Sequence, residues 1–402
     1  MNKPYEHALR VNPDWARVPL FDRKEGKRVR FGDVVENVNE TEREPEAAGI
    51  ERFIGLEHLE PGALHVGAWG SVADGTTFTR RCRPGQVLFG KRRAYQRKVA
   101  VAEFDAVVSG DIYVLASKND RLLPELLPFI CLSERFFQHA VGTSAGSLSP
   151  RTNWSSLGCF EFDLPPLDQQ RRIAGILWSV DEVTGSWRDS SLAAEGHARA
   201  LSDGVFEANQ RKRHMLATEA CERITVGIVV KPASYYTAPA NGVPALRSLN
   251  VFPGRYDLTE LVYLNREGHR KHSKSELREG DVVVVRTGRP GDAAVVTTET
   301  VGMNLIDLIL VRPKPILLAE YLVEFLNSGF GRRKIYRGAA GTAQQHFNVS
   351  EFERLDIPVP SIAEQRKAVD ELALARARFH LCEQHASHGD SLQRALLGTL
   401  IG

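Results

Sequence analysis

Between Arg80 and Lys98 the chain carries eight cations and no acid: Arg80, Arg81, Arg83, Lys91, Arg92, Arg93, Arg97 and Lys98, with Tyr95 among them. A basic hairpin with an aromatic residue suits a polyanion. Its cations neutralise phosphates, and arginine can also read guanine edges in the major groove. A weaker set lies between Val284 and Asp292, where Arg286, Thr287 and Arg289 fall. A third, Arg332, Arg333, Lys334 and Arg337, precedes a loop of small residues that ends in Gln344, Gln345 and His346. Those last three side chains have the donors and acceptors to read base edges. Ser147, Ser149, Arg151 and Asn153 hold the matching loop earlier in the chain. The expected DNA-binding set is therefore Arg80, Arg81, Lys91, Arg92, Arg93, Tyr95, Arg97, Lys98, Ser147, Arg151, Arg286, Thr287, Arg289, Arg332, Arg333, Lys334, Gln344, Gln345 and His346.

Catalytic chemistry finds little support. The chain has no GxxxxGK loop, no GxGxxG after a strand and no GxSxG elbow. Cys382, His385 and His388 share a helical stretch, but a spacing of three spreads them poorly for one metal ion. Glu103, Asp105 and Asp111 near Lys98 resemble a nuclease carboxylate cluster only faintly, because carboxylates beside lysine are common on strands. The expectation is no catalytic residue, no metal and no bound cofactor.

The elements that must position these residues occur twice. Strands are expected at Thr76 to Thr79, Gln86 to Phe89, Lys98 to Phe104 and Asp111 to Ala116, and a helix from Leu122 to Val141. The second half replays the order. Gly280 matches Gly85, Glu320 matches Glu125 and Pro360 matches Pro165, and 280 − 85, 320 − 125 and 360 − 165 all give 195. A constant shift of that length is the trace of a domain duplication and is too long for a solenoid repeat. Each copy ends in a proline followed by glutamine and arginine, Pro165 to Arg172 and Pro360 to Lys367, where proline suits a helix entry. The helices that follow carry apolar residues at threes and fours, including Ile176, Leu177, Val180, Val183, Trp187 and Leu192 in one and Val369, Leu372, Phe379, Leu392 and Leu396 in the other. That is a seam for antiparallel pairing. A helix of roughly 40 residues would be a rod of about 60 Å.

The 402 residues allow two or three domains, and a net charge of +2 implies no partner by itself. Five scattered cysteines without a CxxC pair fit reduced thiols in a cytoplasm. No apolar run is long enough for a signal-peptide core or a membrane span.

Three stretches carry a family resemblance: Phe53 to Gly62 (FIGLEHLEPG), Pro84 to Tyr95 (PGQVLFGKRRAY) with Lys98, and Ser109 to Leu115 (SGDIYVL). With the two proline–glutamine–arginine entries, they resemble the DNA specificity (S) subunits of type I restriction–modification systems. The entries Asp168-Gln169-Gln170 and Ala363-Glu364-Gln365 vary around the usual acid–glutamine pattern, and the second half lacks the lysine–arginine–tyrosine hairpin. The resemblance implies an α+β chain, with two duplicated α/β target recognition domains joined by two long helices packed as an antiparallel coiled coil. It places the domains at 1–165 and 216–360, and the helical spacers at 166–215 and 361–402. Its implied partners are double-stranded DNA, methyltransferase (M) subunits and an endonuclease/translocase (R) subunit. S-adenosylmethionine, ATP and Mg would then sit on those partners. The rival expectation is a two-domain interaction scaffold, or an orphan subunit without a nuclease partner.

Overall fold

The structure, a computed structural model, describes residues 26–338 and 346–400. It divides into two compact units. One holds the described residues up to Trp187 together with those from His385 onward; the other is Arg188–Gln384. Both long helices therefore give residues to both units.

The first unit is built on a four-stranded antiparallel sheet in the order Val35–Val38, Ile112–Ser117, Val87–Gly90, Val99–Val101. Successive strand residues point to opposite faces. Val87 and Phe89 thus join a core with the helices Leu127–Leu132 and Glu134–Gly142, while Leu88 joins a second core with Ala100, Ile112 and Val114. Because both faces are covered, the strand residues Val87 to Gly90 are all buried. Each large aliphatic side chain sealed this way contributes roughly 1.5–3 kcal/mol.

The second unit repeats the plan. Its sheet runs Cys221–Val226, Leu308–Pro313, Val282–Val285, Ala293–Val295, again antiparallel throughout. Val282 and Val284 pack on the helix side, Val283 and Val285 on the other.

Three expectations need correction. The strand expected at Thr76 to Thr79 forms instead at Arg80–Cys82, where pairing with Ala106–Val108 holds it. The helix expected from Leu122 to Val141 is broken at Ser133, which is extended (φ −64°, ψ 145°) and whose hydroxyl accepts from the Phe136 amide to start a new helix. Ser328 makes the same break between Ala319–Asn327 and Gly329–Gly338, accepting from Gly331 N at 2.9 Å. Finally, the first long helix runs Leu167–Ala208 and finishes in a 3-10 turn at Asn209–Arg211, short of the end of the 166–215 expected for the first helical spacer.

The second long helix is Ile362–Leu400. Within the first unit the two helices run antiparallel: Trp187 stacks on His385 at 4.4 Å, and further along Gln393 donates to Asp181 at 3.2 Å. The backbones approach closely between these contacts, since a Cβ on Gly389 would lie 2.1 Å from Thr184 Oγ1. Within the second unit the sense is the same, with Glu195, Arg199 and Ser202 lining one cavity with His380, Arg376 and Leu372. The seam is narrower than the apolar spacing suggests: Val183, Leu192 and Leu392 are exposed.

Candidate nucleic-acid interface

In the first unit the second part of the basic stretch, Lys91 to Lys98, is the connection between Val87–Gly90 and Val99–Val101. It is held against the loop before the short helix Trp154–Leu157. Thr152 N donates to Lys91 O at 3.0 Å, Arg93 N donates to Pro150 O at 2.7 Å, and Arg92 and Arg151 form a β-bridge. Asn153 caps the helix, its side chain accepting from Ser156 N.

One carboxylate sits among the cations. Asp111 accepts from Arg151 Nε at 2.8 Å and from Arg92 at 3.3 Å, and Arg92 also donates to Ser149 Oγ at 3.1 Å. Burial pushes the Asp111 carboxyl up, but the bonds and charges of Arg151 and Arg92 outweigh it and hold the acid below its ordinary range. Lys91 lies over the Tyr113 ring at 4.9 Å, its pKa lowered by burial and then by the nearby Arg80 charge. Lys91, Arg92, Arg93 and Arg151 against Asp111 give four positive charges to one negative, a net +3 on two bridged loops. Arg93 and Arg97 are both left-handed, at φ 53° and 57°, and exposed Tyr95 sits between them. Such backbone strain persists only where surrounding structure imposes it.

The second unit has the same join with different side chains. Phe347 N donates to Arg286 O at 2.9 Å, and Thr287 and His346 form the bridge. Arg286 pairs with Asp307 at 2.5 Å and donates to His346 Nε2 at 2.7 Å; His346 Nδ1 lies 2.8 Å from Thr287 Oγ1. Since Nε2 accepts, the ring proton belongs on Nδ1, which donates to Thr287. Here one cation meets one carboxylate and one imidazole. Asp307 is left-handed at φ 53°, and the strand after it pairs one residue later than the constant shift implies: Val87 faces Leu115, but Val282 faces Val311. That extra residue makes Asp307, and not Ile306, the counterpart of Asp111.

The remaining expected residues are dispersed. Arg81 pairs with Asp105 and Arg83 with Glu40, while Arg97 pairs with Glu134. Arg80 donates to the Ile112 carbonyl at 3.3 Å and Lys98 to the Leu56 carbonyl at 2.7 Å. The stretch that lacks acids in sequence thus receives them from elsewhere in the chain. Ser147 is exposed in the loop that Arg151 closes. Arg289 lies over the Phe252 ring at 4.1 Å and pairs with Asp292 at 3.2 Å; Arg332 grips the same Asp292. Arg333 reaches Glu207 at 3.0 Å and Lys334 reaches Asp356 at 2.7 Å. These three helix cations are committed to intra-unit ion pairs. Gln344 and Gln345 lie outside the described residues.

The other chemical candidates separate. Glu103 binds His65, Asp105 binds Arg81, and Asp111 binds Arg92 and Arg151, so these three carboxylates do not converge on one another. His385 stacks on Trp187. Among the described residues no group of three or more His, Cys, Asp or Glu is placed to hold a metal, and no helix is long and apolar enough to cross a membrane.

Sequence reasoning missed Asp111 and Asp307 as the anchors of the two loops. Their signal was position: each immediately precedes the strand that pairs with the one leading into the cation-bearing loop.

No family model matches the chain. It is 20% identical over 399 residues to the type I restriction enzyme MjaVIII specificity subunit of Methanocaldococcus jannaschii, covering 91% of this chain and 87% of that subunit. To the StySPI specificity subunit of Salmonella potsdam it is 25% identical over 136 residues, which is 32% of this chain and only 28% of that relative. Among solved structures, the type I restriction–modification S subunit from M. genitalium superposes with a TM-score of 0.58 at 12% identity, covering 94% of this chain and 96% of that one.

Proposed function

We propose that this chain, a relative of the type I restriction enzyme specificity subunits in sequence and in fold, is itself a DNA specificity subunit. It reads a bipartite target, with one recognition unit on each half-site. The observation that carries this reading is the doubled loop join, Lys91 with Thr152 and Arg286 with Phe347, which sets different side chains on one scaffold. Loops on a rigid frame are where recognition residues vary without cost to the core. The first site, at net +3, is suited to phosphate contact. The second, with Arg286, Thr287 and His346 tied together, is suited to reading base edges in the groove.

The chain's part is recognition, and the reactions belong to its partners. Methyltransferase subunits would supply S-adenosylmethionine chemistry, and an endonuclease/translocase subunit would use ATP and Mg. Apolar residues exposed on the long helices, Val183 and Leu392 in one unit and Leu192, Leu374 and Leu381 in the other, give each unit apolar surface suited to a methyltransferase contact. The recognition domains are residues 1–165 and 216–360, the spacers 166–215 and 361–402, and the setting is the cytoplasm. Co-expression with a type I adenine methyltransferase tests the reading. It expects a stable complex that retains DNA of one sequence; a complex that forms yet shows no DNA retention favours the scaffold alternative.

A further inference from the structure

In the second unit the edge strand Cys221–Val226 runs into a loop that ends in an apolar tip. Val229 is 49% exposed and Val230 is 76% exposed, and Lys231 follows in the left-handed region at φ 44°. Tyr236, also exposed, closes the loop by a bridge to Leu264. Two valines in water, presented by a strained turn, are not explained by any core they join.

The tip is fixed beside the Arg286 site. Ile228 O accepts from Asp307 N at 3.1 Å, and the Asp307 carboxylate holds Arg286. Gly227 is needed for the approach, because a Cβ there would lie 2.3 Å from Leu305 O. The flank is cationic. The helix Arg266–Lys271 carries Arg266, Arg270 and Lys271 against one acid, Glu267, and Lys271 lies over the Tyr235 ring at 5.5 Å. The corresponding stretch of the first unit, after Val35–Val38, is acidic instead: Glu40, Glu42, Glu44 and Glu46.

We infer that Val229 and Val230 are specificity-determining residues that pack on a thymine methyl group in the half-site read by the second unit. The inference rests on the proposed function and deepens it. The cations select a polyanion. The one aliphatic group that duplex DNA offers in its major groove is the C5-methyl of thymine. A membrane surface would also accept cations around an apolar tip, but the tip stands next to the base-reading group and continues its surface.

Uracil lacks only that methyl group, so it gives a direct test. The target is first read by methylome sequencing of cells carrying the chain with its methyltransferase. The purified complex is then titrated against duplexes in which each thymine in turn is replaced by uracil. The wild type should bind about fourfold more weakly at one or two thymines, all in a single half-site, the worth of about one buried methyl. A V229S/V230S variant, which carries no side-chain methyl at either position, with an unchanged melting temperature should bind the thymine duplex at the wild type's uracil level and lose nothing further with uracil. Indifference of the wild type to uracil everywhere overturns the inference, as does a variant that keeps its uracil sensitivity. Loss of the methyltransferase with DNA binding intact would make the tip a protein-docking surface. If the complex shows no sequence preference on any duplex, the proposed function itself fails, a result distinct from these.

Discussion

Gln170 and Gln365 make the same three hydrogen bonds, one set in each unit. Gln170 Oε1 accepts from Leu123 N at 2.8 Å, and its Nε2 donates to the Arg121 and Pro165 carbonyls. Gln365 Oε1 accepts from Leu318 N at 2.9 Å, and its Nε2 donates to the Ile316 and Pro360 carbonyls. Every partner obeys the shift of 195. Both amides are almost wholly buried, and each ties the start of a long helix to the segment leading into the helical layer.

Removing either amide should therefore cost stability. Gln365→Ala leaves a buried amide and two carbonyls without partners, a penalty of about 1–3 kcal/mol. Urea unfolding should show the loss, and Gln365→Glu should not rescue it because a carboxylate cannot donate to the carbonyls.

The helix pairing depends on Gly389. An added Cβ would meet Thr184, so Gly389→Ala should destabilise the first unit by about 1–3 kcal/mol through overpacking. The double variant with Thr184→Ala should recover most of it, as read by thermal melting.

His65 links Glu103 at 2.5 Å and Asp181 at 3.2 Å, and Asp181 in turn holds Gln393 of the second long helix. The bond to Glu103, opposed by burial and aided by the Asp181 charge, raises the His65 pKa above 6.5. A base with a raised folded pKa adds stability that is complete below its ordinary value and is lost as pH climbs through the higher folded value. The stability gap between the wild type and His65→Gln should thus be largest at pH 6 or below and shrink above it, measured by melting at a series of pH values.

The two sites should respond differently to salt. Lys91→Ala removes one charge from the net +3 loop pair and should lower the slope of log affinity against log salt by about 1. On the proposed reading Arg286 faces base edges and no phosphate, so Arg286→Ala should leave that slope nearly unchanged and alter the preferred bases of one half-site. Binding curves at several salt concentrations separate the two outcomes.

The duplication was legible because motifs such as Pro84-Gly85 and the glutamine entries keep residue type and spacing together. The sheet strands were legible as apolar runs. The acid partners of the basic stretch were not, since Glu40, Asp105, Asp111 and Glu134 reach it only through the fold. Nor was the extra residue at Asp307, because a single-residue shift leaves the apolar pattern of Leu308 to Val311 intact. The Val229–Val230 tip lies in a loop, where neither helical nor strand periodicity applies.

The central claim is that one recognition module, written twice and linked by the long helices, reads a split target. Methylome sequencing tests it most directly, in a host free of other adenine methylation, with the chain and a type I adenine methyltransferase expressed together. The account predicts methylation at one motif of two half-sites with a fixed unspecified gap. It also predicts that deleting one turn from the first long helix changes the gap and spares both half-sites. Methylation at an uninterrupted motif, or a motif that persists when this chain is omitted, would contradict it.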